Sequence, residues 1–299
     1  MVLTVTKKAR AKLEPEGSAR VGSVRTFLDE LERLTPERDF VYYFRGHTNF
    51  TYKLVPSIYR DPGWIENEDI LFKELILRCP ADFSDSLSTF QTLVKMQHYS
   101  LPTRLLDITA NPLIALYFAT EPSALSRESG EIVIFRVPKI DIKYFDSDTV
   151  SVISNISRRP SSLDIRDIPK DTEHFNKNQQ ILHLLHEVKK EKPYFEPHIF
   201  AGHLETAIFV KPKLDNARVI RQDGAFIVFG IDGEKAKPAS VPAGYTAITQ
   251  SRRILIIDES KQKIRQQLES LGITKGTIYP EIEKVAEYIK SLYLAPSAA

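Results

Sequence analysis

Residues 42–60 read YYFRGHTNFTYKLVPSIYR. With Phe40 and Val41 ahead of it, the run is β-branched and aromatic and predicts a buried strand over 40–44. Arg45 then stands where a buried strand would continue with an apolar side chain. A guanidinium is permanently charged and offers a planar fork suited to carboxylate or phosphate. Arg45 is therefore either a core arginine tied to a carboxylate or an anion clamp at a strand end, beside a glycine (Gly46) that admits close approach of another backbone. Tyr42, Tyr43, Phe44, Phe50 and Tyr52 suit a core, and also suit the wall of a pocket.

Around this strand the periodicity alternates between helix and sheet. Residues 23–34 put Val24, Phe27, Leu28, Leu31 and Leu34 on one helical face, with Ser23 as N-cap. Helical patterns follow over 66–78 and 84–98, then a loop over 99–104 and an apolar helix over 112–120, whose proline suits a first turn. Residues 131–137 read as a strand, and 138–172, rich in Ser, Pro, Asp and Arg, as irregular. An amphipathic helix is predicted over 173–191. Strands follow over 206–210, 217–220, 225–230 and 254–258, and helices over 259–271 and 280–293. The pattern predicts an α+β fold, a single mixed domain with a helical insertion, after a loose basic arm over 1–21.

Composition limits the function classes. The chain has 299 residues, 42% hydrophobic and 27% charged, a balance that can bury a sizeable core. Its net charge of +2 argues neither for nor against nucleic acid, because only clustered charge makes a footprint. One cysteine, Cys79, excludes an internal disulfide and a cysteine-based zinc cluster. No apolar run approaches membrane-spanning length, and residues 1–20 lack an apolar leader core, so the expectation is a cytoplasmic protein with no membrane partner. His183 and His186 lack the HExxH spacing of a zinc site, and no Walker, dinucleotide or GxSxG fingerprint occurs, so no metal is expected.

Two further stretches concentrate polar chemistry. QHYSLPTRLLDITANPLIALYFA, residues 97–119, gathers His98, Tyr99, Thr103, Arg104 and Asp107 ahead of an apolar helix. Asp107 could bind and orient Arg104 or Arg45, and Thr109 could cap the helix. ARVIRQDGAFIVFG, residues 217–230, sets Arg221, Gln222 and Asp223 before a turn glycine and a strong strand. Such a cluster is either an ordinary turn or, if it faces Arg45, a group that reaches ribose hydroxyls or a reacting nucleophile.

Together these stretches resemble the FRG-domain family, named for its Phe-Arg-Gly motif. The resemblance runs through Phe44-Arg45-Gly46, KLVPSIYR, QHY, PTRLLD, ANP, ALYFA and Arg218, Gln222, Gly224 and Phe226, and ends in LGITKGTIYPEIEKVAEYI. It covers about residues 23–293; the domain is set at 22–295, with 138–205 as a variable insertion carrying no motif. The pattern is more distantly similar to ADP-ribosyltransferases, which implies a split β-sheet core surrounded by helices and an NAD-dependent transferase. By that resemblance the protein is a toxin of toxin–antitoxin or anti-phage systems, its acceptor RNA or DNA in preference to protein, with an antitoxin protein as a possible partner. Arg45 would hold the NAD phosphate or nicotinamide ribose, and His98, Tyr99 and Thr103 would line the nicotinamide side. Phe44, Gly46, Arg104, Asp107 and Tyr117 of the ALYFA helix would complete the cofactor set, and Arg45, Gln222 and Asp223 would be catalytic. Many such transferases carry a glutamate at the third motif, where this chain has Gln222. Glutamine can hydrogen-bond a ribose but cannot act as a base. Asp223 or Glu205 then supplies the carboxylate, or the acceptor needs none, or the protein is a non-catalytic module binding nucleotide or nucleic acid through Arg45 and Arg104.

Overall fold

Burial sorts the apolar side chains into two cores, one in each of two compact units built from alternating stretches of chain. The computed structural model describes residues 14–84, 86–122, 128–246 and 253–293. The first unit takes the residues up to Tyr52, then Thr109–Arg136 and the chain from Thr246 onward; the second takes Lys53–Ile108 and Val137–Tyr245. Both mix helices with sheet, and the fold class is α+β. Among the described residues, no helix is long and apolar enough to cross a membrane.

In the first unit, Ala19–Val21 runs parallel to Ile254–Ile256, which is antiparallel to Gly130–Pro138. Phe40–His47 lies along the other side of Gly130–Pro138, and its Phe44 pairs with Thr109. The basic arm expected over 1–21 falls mostly outside the described residues, but its end is not loose. Ala19 and Val21 are fully buried, because a strand with apolar residues on its inward positions completes the sheet edge. Ser23 caps helix Val24–Leu31 through a capping box with Thr26, as its position predicts.

Helix Pro112–Ala119 is apolar on every side, the signature of a buried helix, and Ile114, Ala115, Leu116, Tyr117 and Ala119 are buried. Asn111, not Thr109, is its N-cap. The Asn111 side chain accepts from Leu113 N at 3.0 Å, while the Thr109 hydroxyl accepts from Asn111 N at 2.9 Å. This helix presses onto the strand that carries Arg45. A Cβ on Gly46 would stand 1.9 Å from the Ala115 carbonyl oxygen, and one on Gly130 would stand 2.5 Å from that of Ala119. Gly46 therefore serves backbone approach, and the backbone that approaches is this helix.

In the second unit, Gly224–Phe229 lies between Leu105–Thr109 and Ala207–Lys211, antiparallel to the latter with Ala207 opposite Phe229. Lys143–Tyr144 adds a short parallel edge to Ala207–Lys211. Helix Thr89–His98 starts at Ser88 with a capping box to Gln91 and buries Phe90, Leu93 and Met96. Residues 105–109, given no element by the periodicity, form a strand. Three local expectations need correction here. Residues 217–221 form a short helix despite their β-favouring Val and Ile, because Asn216 caps it by accepting from Arg218 N and Val219 N. The helix expected over 173–191 is two, Thr172–Lys177 and Gln179–Glu191, broken at Asn178, whose side chain starts the second by accepting from Gln180 N. Residues 138–172 are not irregular: helix Asp148–Asn155 continues into a 3₁₀ turn, Ile156–Arg158, and Val150, Ile153 and Ile156 are fully buried. Three of the serines in this segment, Ser151, Ser154 and Ser157, are buried, and Ser157 donates to Ser154 O at 2.7 Å. The segment sits in the same core as Phe226 and Val228.

Candidate functional site

The phosphate-clamp expectation begins with Arg45, half-buried in the Phe40–His47 strand of the first unit. Its Nε donates to His47 Nε2 at 3.0 Å. With Nε2 accepting, the neutral imidazole keeps its proton on Nδ1, the side that faces the Glu131 carboxylate at 3.8 Å. Burial works to raise the Glu131 carboxyl, but the facing His47 ring and the hydrogen-bonded Arg253 guanidinium outweigh it and hold the group below the usual carboxylate range. Arg253 Nε donates to Glu131 at 2.5 Å, and its Nη2 donates to Phe50 O at 2.6 Å. Lys261 Nζ donates to Thr48 O at 2.8 Å and Glu128 O at 2.6 Å. Arg45 thus heads a cationic network, Arg45–His47–Glu131–Arg253, with Lys261 tying down the loop that follows.

Its expected companions in this unit serve packing. Phe44 is buried in the core, and Gly46 is consumed by the helix contact. Tyr117 is fully buried and does not offer itself to a cofactor. Arg265 Nη1 donates to its hydroxyl at 2.9 Å, and the guanidinium lies 4.3 Å from the ring centroid.

In the second unit the residues of PTRLLD divide. Arg104 is fully buried and is not available as a ligand-binding arginine. Glu68 grips it bidentately through Nε, at 2.9 Å, and Nη2, while Nη1 donates to Phe229 O at 2.9 Å. Lys235, also fully buried, reaches the same carboxylate at 3.2 Å. Tyr59, whose hydroxyl donates to Gly230 O at 3.3 Å, is pushed up to about 12 by burial and by the Glu68 charge. Thr103 is buried as well; its hydroxyl bonds to the Gln97 side chain and accepts from Leu105 N at 3.2 Å. Arg104 and Thr103 therefore hold the scaffold under the site and do not line it.

What the second unit does bring together is a polar pocket of about 60 Å³ lined by Gln97, His98, Asp107, Asn216, Arg218 and Gln222, with Phe226 and Val219 as apolar wall. Helix Thr89–His98 supplies Gln97 and His98 from its last turn, the Leu105–Thr109 strand supplies Asp107, and the short Ala217–Arg221 helix and its ends supply the rest. Asn216 Nδ2 is 3.4 Å from His98 Nδ1, and Arg218 Nη1 donates to His98 O at 3.3 Å, so the third stretch fixes the histidine. Gln222 is 9% exposed, held by its backbone N–H to Arg218 O at 3.0 Å. Asp223 is absent from the lining: it takes the left-handed conformation, φ 46°, in the turn, and is exposed. Glu205, the other carboxylate considered for the third motif, pairs with Lys170 at 2.6 Å. The carboxylate beside Gln222 is Asp107, exposed on its strand.

Sequence reasoning anticipated His98, Asp107 and Gln222 and missed Asn216 as a pocket residue. Its signal was present in DNARVIRQ, where a helix-capping asparagine precedes two arginines, but reading 217–220 as a strand hid it. A second, open groove of about 340 Å³ adjoins the pocket and shares Val94, His98 and Asn216 with it; Tyr99, 56% exposed, and Lys213 lie on this side.

Comparison with known proteins gives one match. No curated protein and no solved structure matches the chain. The model of the FRG domain matches residues 41–128, a span running from the Arg45 strand through the His98 helix and PTRLLD to the Pro112–Ala119 helix and just beyond. The chain carries an FRG domain.

Proposed function

We propose that the pocket of the second unit binds the nicotinamide–ribose part of NAD and that the protein transfers ADP-ribose to a nucleic-acid acceptor, in the manner of an intracellular toxin. The observation that supports this reading is the meeting of His98, Asp107 and Gln222, three residues from two separate stretches, around one small cavity. In this reaction the C1′–N bond to nicotinamide breaks with both electrons leaving on the neutral base. The acceptor's lone pair forms the new bond to C1′, and the acceptor's proton needs a base. Asp107 fits that base, and its charge favours the oxocarbenium-like state between the two bonds. Gln222 fits the ribose hydroxyls, offering both a donor and an acceptor. The glutamate missing from the third motif is thereby replaced in function by Asp107 from the second. Arg45 enters by resemblance as the phosphate clamp.

Labelled NAD incubated with the protein and total RNA, DNA or lysate tests the reading. Covalent label on a macromolecule with free nicotinamide, both lost in Arg45→Ala and Asp107→Asn proteins that still fold, is the expected result. Neither label nor nicotinamide release from folded wild type would refute it. The second reading, a binding module without chemistry, draws on Gln222 at the third motif; it predicts saturable NAD binding with no nicotinamide release.

A further inference from the structure

The groove adjoining the pocket is built differently from the pocket itself. The pocket is small and polar; the groove is larger, about 340 Å³, and combines the exposed Tyr99 ring with Lys213. Tyr99 follows helix Thr89–His98 with its ring 56% exposed, at 5.1 Å and 32° from the His98 ring, so the two rings make a tilted stack leading from groove to pocket. Its position is fixed by backbone: Tyr99 N bonds back to Lys95 O and Met96 O, and Ser100 takes φ 65° to end the helix sharply. Phe90, Val94 and Pro212 floor the groove.

The facing segment, 212–217, brings Lys213 and Asp215, 3.8 Å apart, to the groove, and Lys211, Arg218 and Arg221 flank it along the chain. Lys213, Arg221 and the apolar Leu214 and Ile220 are exposed along it. Lys95 does not belong to this footprint, because its ammonium bonds to Asp82 O and lies over the Phe83 ring. Exposed aromatic rings beside a cationic strip form the usual platform for single strands: bases stack on π-faces and phosphates follow the charge.

We propose that this groove binds single-stranded nucleic acid, one base stacked on Tyr99 and the backbone running along Lys213 and Arg221, which delivers the next nucleotide to the pocket at His98. The assignment rests on the transferase reading for its purpose but not for its test. Duplex is a poor fit, because stacking on Tyr99 requires an unpaired base.

Binding is measured by fluorescence anisotropy with labelled oligo(U) and oligo(dT) of about 12 nucleotides, and with a duplex of the same length, in the absence of NAD. Single strands are expected to bind at least about tenfold more tightly than duplex, and Tyr99→Ala to weaken single-strand binding by about tenfold, within the range for one stacked base. Lys213→Glu and Arg221→Glu should each weaken binding to every sequence and reduce the slope of log K against log salt by about one. Comparable affinity for oligo(U) and oligo(dT) indicates stacking and phosphate contacts alone. A preference for RNA adds a 2′-hydroxyl contact. No single-strand binding by wild type, preference for duplex, or binding unchanged in folded Tyr99→Ala and Lys213→Glu proteins overturns the proposal. Nicotinamide release by wild type without nucleic acid, assayed in parallel, reports on the transferase reading separately.

Discussion

Glu68→Gln separates a structural Arg104 from a ligand-binding one. The carboxylate of Glu68 is 3% exposed and lies between two fully buried cations, Arg104 and Lys235. Burial alone would raise its carboxyl, but the charges of Arg104 and Lys235 and their hydrogen bonds prevail and hold it below the usual range. Glutamine keeps the shape but removes the carboxylate that Arg104 and Lys235 share, leaving the two buried cations with only the more distant charge of Asp69 acting on Lys235. Breaking a buried pair in this way costs about 3–5 kcal/mol. At about 2–4 °C per kcal/mol for a domain of this size, the melting temperature should fall by about 6–20 °C. Lys235 supplies the internal comparison. Burial, assisted by the like charge of Arg104, pulls its ammonium below the usual lysine range despite Glu68, which marks it as the less well held partner. Lys235→Met leaves the bidentate Arg104–Glu68 pair intact, removes the ammonium's bonds to Glu68 and to Arg159 O, and should cost about 1–3 kcal/mol, the scale of hydrogen bonds involving a charged group. Calorimetry or circular dichroism melts of the two variants read the order directly. A Glu68→Gln protein melting within about 2 °C of wild type, or one more stable than Lys235→Met, would falsify the structural assignment.

The same carboxylate sets an acid limit. The folded-state values of Glu68 and Glu131 lie below their unfolded ones, so their stabilising contribution is complete above the unfolded value, about 4.3, and disappears as pH falls through the folded ones. Melts between pH 7 and 3 should therefore show a Tm loss that is smaller in Glu68→Gln. Gly46→Ala drives a methyl to within 1.9 Å of the Ala115 carbonyl; it should cost about 3 kcal/mol or more, the upper end for overpacking, and a wild-type melt would show that the helix gives way easily. Asp107→Asn should lower nicotinamide release by about 10²–10⁴-fold, the usual worth of a positioned base, with an unchanged melt because the side chain is exposed; undiminished release assigns the base elsewhere. Gln222→Ala should cost about tenfold in kcat/KM, one hydrogen bond to the ribose, and no change removes that contact.

Much of the scaffold was legible because its signals are local. Ser23 announces a helix start, the all-apolar PLIALYFA announces burial, and the β-branched and aromatic runs at 40–44, 131–137 and 225–230 announce strands. The failures share a physical cause: tertiary context decided against local composition. Ser, Pro, Asp and Arg suggested irregular chain over 138–172, yet Ser154, Asn155 and Ser157 are fully buried, the asparagine bonded to Thr89 and Glu191. Val219 and Ile220 suggested a strand, and the Asn216 cap imposed a helix. In the site, the meeting of His98 with Gln222 was within reach of motif order. The partner of Arg104 was not, because Glu68 lies thirty-six residues upstream, in a helix with no motif to mark it.

The motifs that identify an FRG domain therefore carry two kinds of information. Phe44, Gly46, Thr103, Arg104 and Tyr117 are all spent on packing: a core ring, a helix contact, a buried hydroxyl, a buried ion pair and a hydroxyl capped by Arg265. Replacing any of them disturbs the fold before it reaches any chemistry, so loss of activity in such variants says little about the reaction. His98, Asp107 and Gln222 line the cavity, and Asp107 is exposed on its strand. Chemistry is best interrogated at this second set. The family match over residues 41–128 bears on the scaffold and not on the reaction, and Asp107 is the residue at which the two are best told apart.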